Sequence, residues 1–218
     1  MAFFAVIGLG SFGATVAQEL SHLKHDVIGI DLVKKNVENL ANVLTHAVIA
    51  DATDERVLLE LNVQECDAVI VAIGEDIEAS ILCILNLKNL GVNNILAKAK
   101  TKAHHNILSH FNIKKIIHPE EDMGVRIAQA LNYPMIRRYM SLDDDYYIVQ
   151  VRIPDYLQDI NLLGLVRNAN NVKVVLLKRG QQIIDHIDED FTLNQNDTLI
   201  LEGHVSELQK LAHRFLKN

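Results

Sequence analysis

Gly8-Leu9-Gly10-Ser11-Phe12-Gly13 fits G-x-G-x-x-G and stands between an apolar β-type run, FAVI, and a helix-type segment, ATVAQELSHL. In that setting the first glycine permits a tight turn and the second lets the backbone approach a phosphate. The third lets the helix pack closely on the strand. The helix N-terminus then offers unpaired N–H groups to an anion. Asp31 follows 21 residues beyond Gly10, at the end of the next β-type run, where a carboxylate can accept hydrogen bonds from the two hydroxyls of an adenosine ribose. A 2′-phosphate would meet like charge there, so the predicted ligand is ATP, ADP, AMP or NAD(H), not NADP(H). The competing interpretation is that these glycines only shape a turn and Asp31 caps the next helix. Asp51 either lies on the adenine side of the same cleft or caps the helix from Thr53 onward, and Ala72, Ile73 and Gly74 would leave room for a ligand at the end of the fourth strand.

The elements that must hold these residues follow a regular rhythm. Six β-type runs, Phe3–Ile7, Asp26–Ile30, His46–Ala50, Ala68–Ile73, Asn94–Ala97 and Lys114–Ile117, alternate with helix-type segments. Unbroken strings such as AVIVAI suit parallel strands covered on both faces, so the rhythm predicts an α/β, doubly wound, Rossmann-like sheet. Glu75-Asp76 would start a helix that Gly91 stops. EEDMGVRIAQALNY is amphipathic through Met123, Ile127 and Leu131 and should end near Pro134, as a crossover helix spanning Glu120 to Asn132. Beyond residue 136 the pattern becomes YYIVQVRI, VKVVLLKRG, QQIIDHI and DTLILEG, with a helical patch at Leu162–Arg167 and a final helix in HVSELQKLAHRFL. This predicts a nucleotide-binding domain over 1–135 and a smaller α+β domain over 136–218, with Asp143-Asp144-Asp145 at a turn near the boundary.

Composition narrows the function. With 21 Lys+Arg against 28 Asp+Glu, the 218-residue chain has a formal net charge of −7, which disfavours non-specific nucleic-acid binding. No segment reaches the roughly 18 to 20 uninterrupted apolar residues that span a bilayer, so a membrane role would be exercised through a partner. Two isolated cysteines, Cys66 and Cys83, suit a reducing cytosol and lack the C-x-x-C spacing of redox or zinc sites. His104-His105 reads as a surface helix, because adjacent helical residues diverge by about 100° and cannot share a metal. His186, His204 and His213 are scattered and read as surface. No acid/base grouping of a dehydrogenase, Walker loop or G-x-S-x-G elbow is found.

FAVIGLGSFG, THAVIADATDE, DAVIVAIGEDIEASIL and IIHPEEDMGVRIAQAL together resemble the regulatory subunits of Trk/Ktr-type bacterial potassium transporters, built on an RCK (KTN) domain. NLLGLVRNANNVKVVLLKRG and NQNDTLILEG are similar to the small C-terminal RCK lobe. The resemblance implies a non-enzymatic cytoplasmic regulator, a homo-oligomer of dimers in an octameric ring, that docks on a membrane-embedded pore subunit and gates it according to bound nucleotide. It places Gly8, Gly10, Ser11, Phe12, Gly13, Asp31 and Asp51 at the nucleotide, and Lys98 either at a phosphate or as a solvated strand-end charge. Glu120 is implied as an acid binding a divalent cation or Na+, or else is an N-terminal helix acid. Arg167, Lys173 and Val174 are implied as a cyclic di-AMP site between two C-terminal lobes. The family usually carries arginine where this chain has Ser11, which removes a forked cation from the terminal phosphates. The rival reading from the fingerprint alone is a small NAD-dependent oxidoreductase or redox-sensing nucleotide-binding protein.

Overall fold

The structure is a computed structural model that describes residues 1–132, 136–142, 145–166, 169 and 171–215. Its Cα framework divides into two compact units, Met1–Asp122 and Met123–Asn218, against the expected boundary after residue 135.

The first unit holds six parallel strands, β1 (Phe3–Ile7), β2 (Asp26–Asp31), β3 (His46–Ile49), β4 (Ala68–Val71), β5 (Ile95–Lys98) and β6 (Lys115–Ile117). Their order is β3-β2-β1-β4-β5-β6, the doubly wound arrangement in which ligands bind where the winding reverses, between β1 and β4. Side chains alternate across the sheet, yet both faces are dry. Ala5, Ile7, Ile28, Ile30, Val69 and Val71 join one core, while Val6, Val27 and Ile70 join the other. That double coverage is why the strand sequences lack polar alternation. The expected runs are correct to within one or two residues. The largest difference is at β4, which stops at Val71 and leaves Ala72, Ile73 and Gly74 as a loop on the rim.

The connecting helices are α1 (Ser11–His22), α2 (Lys34–Glu38), α3 (Glu55–Glu60), α4 (Ile77–Asn89) and α5 (Lys102–Ser109). Helix α4 starts where the Asp76 carboxylate accepts from Ala79 N–H and stops before Gly91, whose φ of +79° suits glycine. It buries Cys83, Ile84 and Leu87 against the sheet. Both cysteine thiols are free, and burial pushes Cys66 up to about 11 and Cys83 up to about 12, far from reactive thiolates.

Helix α6 (Pro119–Asn132) begins one residue before the expected crossover helix and carries Glu120, Glu121 and Asp122 in its first turn. Its apolar residues Met123, Ile127 and Leu131 are exposed in the single chain.

The second unit is an antiparallel sheet of β7 (Ile136–Ser141), β8 (Tyr146–Arg152), β9 (Val172–Arg179), β10 (Gln182–Ile184) and β11 (Thr198–His204), ordered β10-β9-β11-β8-β7. Strand β7 had no counterpart among the expected runs, and QQIIDHI supplies only the three residues of β10. One face, with Val149, Val151, Leu177, Leu199 and Leu201, packs with Leu162 of α7 (Leu162–Val166) and with Leu208 and Leu211 of α8 (Val205–Phe215). Arg179 and the almost fully buried Asp197 form a two-pronged ion pair at 3.0 and 2.8 Å. Arg179 also donates to the Thr192 carbonyl and lies over the Phe191 ring. Pro134, Asp143, Asp144 and Arg167 lie outside the described residues.

Candidate functional site

Three glycines shape the β1–α1 loop, for different reasons. Gly8 has φ +91°, and a Cβ there would sit 2.9 Å from the backbone of Ala72 and Ile73. A Cβ on Gly13 would lie 1.8 Å from the Gly8 carbonyl oxygen. Both are therefore demanded by the chain itself. Gly10 is not: its φ is −65°, and a Cβ there meets no atom within 4 Å. Open space above the second glycine is what a backbone kept bare for a ligand looks like.

Gly10 is also the N-cap of α1, which has no side-chain cap and no acid in its first turn. Within the helix the ladder begins with Ala14 N–H donating to the Gly10 carbonyl at 2.8 Å. The N–H groups of Ser11, Phe12 and Gly13 precede that bond, at the positive end of a twelve-residue helix. Ser11 is exposed at the first helical position, with a hydroxyl where a longer cation would have reached outward.

Asp31 does not cap α2, whose N-cap is Val33 and which has no side-chain cap. Its Oδ2 accepts from Leu9 N–H at 2.6 Å and from Asn36 Nδ2 at 3.2 Å, and its Oδ1 accepts from Val33 N–H at 2.7 Å. The carboxylate thus fixes the glycine loop against the end of β2. Each carboxylate oxygen can take two bonds, so Oδ1 retains capacity for a hydroxyl donor. Asp51 does not cap either. Its Oδ1 closes a turn on Thr53, accepting from the backbone N–H at 2.9 Å and from the hydroxyl at 2.7 Å, while Asp54 caps α3 through Arg56 N–H.

Lys98 and Glu120, read separately from the sequence, are partners. Lys98 crosses the open side of Gly74, where a Cβ would lie 2.9 Å from Nζ, and its ammonium donates to Glu120 Oε1 at 2.5 Å. Lys98 is thus no solvated charge, its side chain being only 13% exposed against 70% for Glu120. Lys98's hydrogen bond holds the Glu120 carboxyl below its usual range. A parallel pair, Lys100 Nζ to Glu75 Oε2 at 2.7 Å, lowers Glu75 in the same way. Among the described residues no group of three His, Cys, Asp or Glu is placed to hold a metal.

The reading of His104-His105 as a surface helix is corrected. His104 is 1% exposed, and its Nδ1 accepts from Lys100 N–H at 3.3 Å. His105 instead reaches His118, with ring nitrogens 2.8 Å apart and the rings stacked. The signal was in the sequence, since His104 and the fully buried Leu108 are one helical turn apart. In the second unit, Lys173 and Val174 stand on β9 opposite Glu202 and Leu201 of β11, Lys173 exposed and Val174 half-buried.

The model of the TrkA-N domain matches residues 4–119, more than half of the chain. The chain belongs to the TrkA-N family. Ktr system potassium uptake protein A of Bacillus subtilis (strain 168) is 38% identical over 212 residues, covering 96% of this chain and 95% of that protein. The protein of the same name from Vibrio alginolyticus is 32% identical, covering 94% of each. Within the TrkA-N family the chain thus belongs with the Ktr system potassium uptake proteins. Its fold is shared with the GsuK RCK domain, at a TM-score of 0.65 and 14% identity over 99% of this chain and 48% of that one. It is shared equally with the GsuK channel bound to NAD, at 0.62 and 15% over 99% and 40%. The chain spans less than half the length of these structural neighbours.

Proposed function

We propose that this chain is the regulatory subunit of a potassium uptake system: a cytoplasmic, non-enzymatic protein that binds an adenine nucleotide at Gly8–Gly13 and Asp31 and controls K+ flux through a membrane-embedded pore subunit. Two Bacillus subtilis proteins named for Ktr potassium uptake, each 38% identical over nearly the whole chain, support the system. The observation that carries the nucleotide is Gly10, which alone among the three glycines of the β1–α1 motif has open space above it, at the bare N-terminus of α1. No helix is long and apolar enough to cross a membrane among the described residues, so flux control would pass through the partner.

In this reading the phosphates lie over Ser11, Phe12 and Gly13, the ribose reaches Asp31, the adenine lies toward Asp51, and Ala72, Ile73 and Gly74 floor the cleft, with residues 1–135 as the nucleotide-binding domain. ATP and ADP are the proposed physiological pair, and NAD(H) is favoured as a competing ligand by the NAD-bound structural neighbour. Exposed Met123, Ile127 and Leu131 support further copies of the chain, assembled as an octameric ring. Gating then requires nucleotides whose affinities differ between two ring shapes, since equal affinity shifts nothing. Cyclic di-AMP is proposed at Arg167, Lys173 and Val174 as an inhibitor.

A thermal-shift titration tests this reading, because a ligand specific to the folded state stabilises it by about 2.7 kcal/mol at one hundred times its Kd. ATP and ADP are expected to raise Tm in the native chain and not in Asp31→Ala. A response to cyclic di-AMP that survives Asp31→Ala would place a second site in the C-terminal unit. Absence of any shift with every adenine nucleotide overturns the proposal.

A further inference from the structure

The antiparallel sheet of the second unit has two unlike faces. Val149, Val151, Leu177, Leu199 and Leu201 point to the core, where α7 and α8 also pack. Alternation sends their neighbours to the opposite face, where Arg152, Thr198, Lys178 and Ile183 stand in register as one row across β8, β11, β9 and β10. Arg152, Lys178 and Ile183 are all exposed. Met140, exposed and paired with Ile148, adds an apolar side chain toward the other edge of the sheet.

Charge divides in the same way. The acidic loop of Asp185, Asp188, Glu189 and Asp190 is tied to the core side by Ile187 and Phe191, which pack there. Among the described strand residues the one carboxylate on the outer face is Glu202, which stands opposite Lys173. Neither Arg152 nor Lys178 pairs with a carboxylate among the described residues; Arg152 donates to Asn196 Oδ1. A chain of net charge −7 thus turns outward one sheet face on which unpaired cations alternate with exposed apolar side chains.

We propose that this outer face docks on an anionic lipid surface, with Arg152 and Lys178 at headgroup phosphates and Ile183 in the boundary between headgroups and acyl chains. Arg152 and Lys178 lie on the strands that flank β11, so their backbones are about 10 Å apart and each can meet its own headgroup. Their long apolar stems let the charged ends stay at the phosphates while Ile183 goes deeper. An acidic polypeptide would match the cations equally well, but burying Ile183 and Met140 favours a surface with an apolar layer beneath its charge. Each cation contributes about fivefold to partitioning, so the attachment is weak and reversible. It adds to a membrane-embedded partner by raising the local concentration of the chain beside it. The inference goes beyond the nucleotide reading and does not depend on it.

The test is flotation of the full chain, without nucleotide, with vesicles of equal parts phosphatidylglycerol and phosphatidylcholine and with vesicles of phosphatidylcholine alone. Binding is expected to the first and not to the second. It should fade as salt shortens the screening length from about 10 Å at 0.1 M to about 3 Å at 1 M. Arg152→Gln combined with Lys178→Gln should lower partitioning by about 25-fold, the product of about fivefold per charge. Lys114→Gln combined with Lys115→Gln removes the same charge from the first unit and should leave binding within about twofold of the unmodified chain. Ile183→Ser should lower vesicle binding by about 3- to 10-fold and leave capture by immobilised poly-glutamate unchanged. The substituted side chains are exposed, and matching thermal melts check the fold; if the first double variant melts early, Lys178→Gln alone should still cost about fivefold. No binding, equal binding to both vesicles, or equal loss in the two double variants overturns the proposal. So does Ile183→Ser without effect on vesicles, which together with capture by poly-glutamate would assign the face to an acidic polypeptide. None of these outcomes bears on nucleotide binding, which the thermal-shift titration decides separately.

Discussion

Substituting alanine at two loop glycines separates what the fold requires from what a ligand requires. In Gly13→Ala the new Cβ would stand 1.8 Å from the Gly8 carbonyl oxygen, so loop and helix must part by well over an ångström. Gly8 cannot yield, because its N–H is bound to the Ile30 carbonyl at 2.8 Å and its other side abuts the Ala72 and Ile73 backbone. Overpacking of this kind costs about 3 kcal/mol or more, and at this chain length each kcal/mol moves Tm by about 2–4 °C, so a fall of about 6–12 °C is expected. In Gly10→Ala nothing is struck, and φ −65° with ψ −173° is open to any residue. The weaker cap costs up to about 1 kcal/mol, and the stiffer unfolded chain returns about 0.4–1 kcal/mol, so Tm should stay within about 3 °C. The same variant should lose most of the ATP- or ADP-induced rise in Tm, because the methyl group occupies the approach to the α1 N-terminus. Thermal melts of both variants, with and without nucleotide, read all of this at once. A Gly10→Ala protein that keeps the full ligand-induced shift, or a Gly13→Ala protein that melts like the unmodified chain, would refute the reasoning.

Two further predictions concern stability. Asp197→Asn leaves the Arg179 guanidinium without its two-pronged carboxylate and should destabilise the second unit by about 2–3 kcal/mol, read as a lower midpoint in urea unfolding followed by near-UV signals from its tyrosines; an unchanged midpoint would show that the pair is neutral. Burial, and then the nearby His118, lower His104 below its ordinary 6.5, so the folded state resists a proton that the unfolded chain accepts. Stability from this group is complete above pH 6.5 and declines as pH falls below it, at no more than about 1.4 kcal/mol per pH unit. His104→Asn can keep an acceptor for Lys100 N–H without titrating there, and should flatten the loss of stability between pH 7.5 and 5.5; parallel curves for the two proteins would refute the assignment.

The first unit was legible because its physics is local. Each strand of a sheet buried on both faces is an apolar run, and each junction carries its own signal, such as Asp76 before α4 and Gly91 after it. The glycine loop was legible as a motif, but only the folded backbone distinguishes Gly8 and Gly13, which it demands, from Gly10, which it does not. Pairings between distant residues were hidden. Nothing in the local sequence says that Lys98 faces Glu120, that Arg179 meets Asp197, or that His105 stacks on His118. Strand β7, IRRYMS, was missed because its arginines break the apolar pattern, whereas its place is set by pairing with β8.

Two of those pairings, Lys98–Glu120 and His105–His118, fall at the end of the first unit and bear on how a binding event could leave it. The loop, Asp31 and the β4 rim are each fastened to neighbours within the sheet: Leu9 N–H to Asp31, Gly8 N–H to Ile30, Ala72 N–H to Ile7. A rigid cradle of that kind can bind but has little freedom to report. The groups that link it to α6 are of another sort, an ion pair open to solvent on one side at Lys98–Glu120 and an imidazole contact at His105–His118 immediately before the helix. Polar contacts of partly exposed groups are worth about 1 kcal/mol or less each, comparable with what a single phosphate interaction can offset. The division of labour therefore follows from interaction strengths: packing and backbone bonds make the site, and weak, exchangeable charges at its edge are where occupancy can be converted into a change in the helix that carries the chain onward.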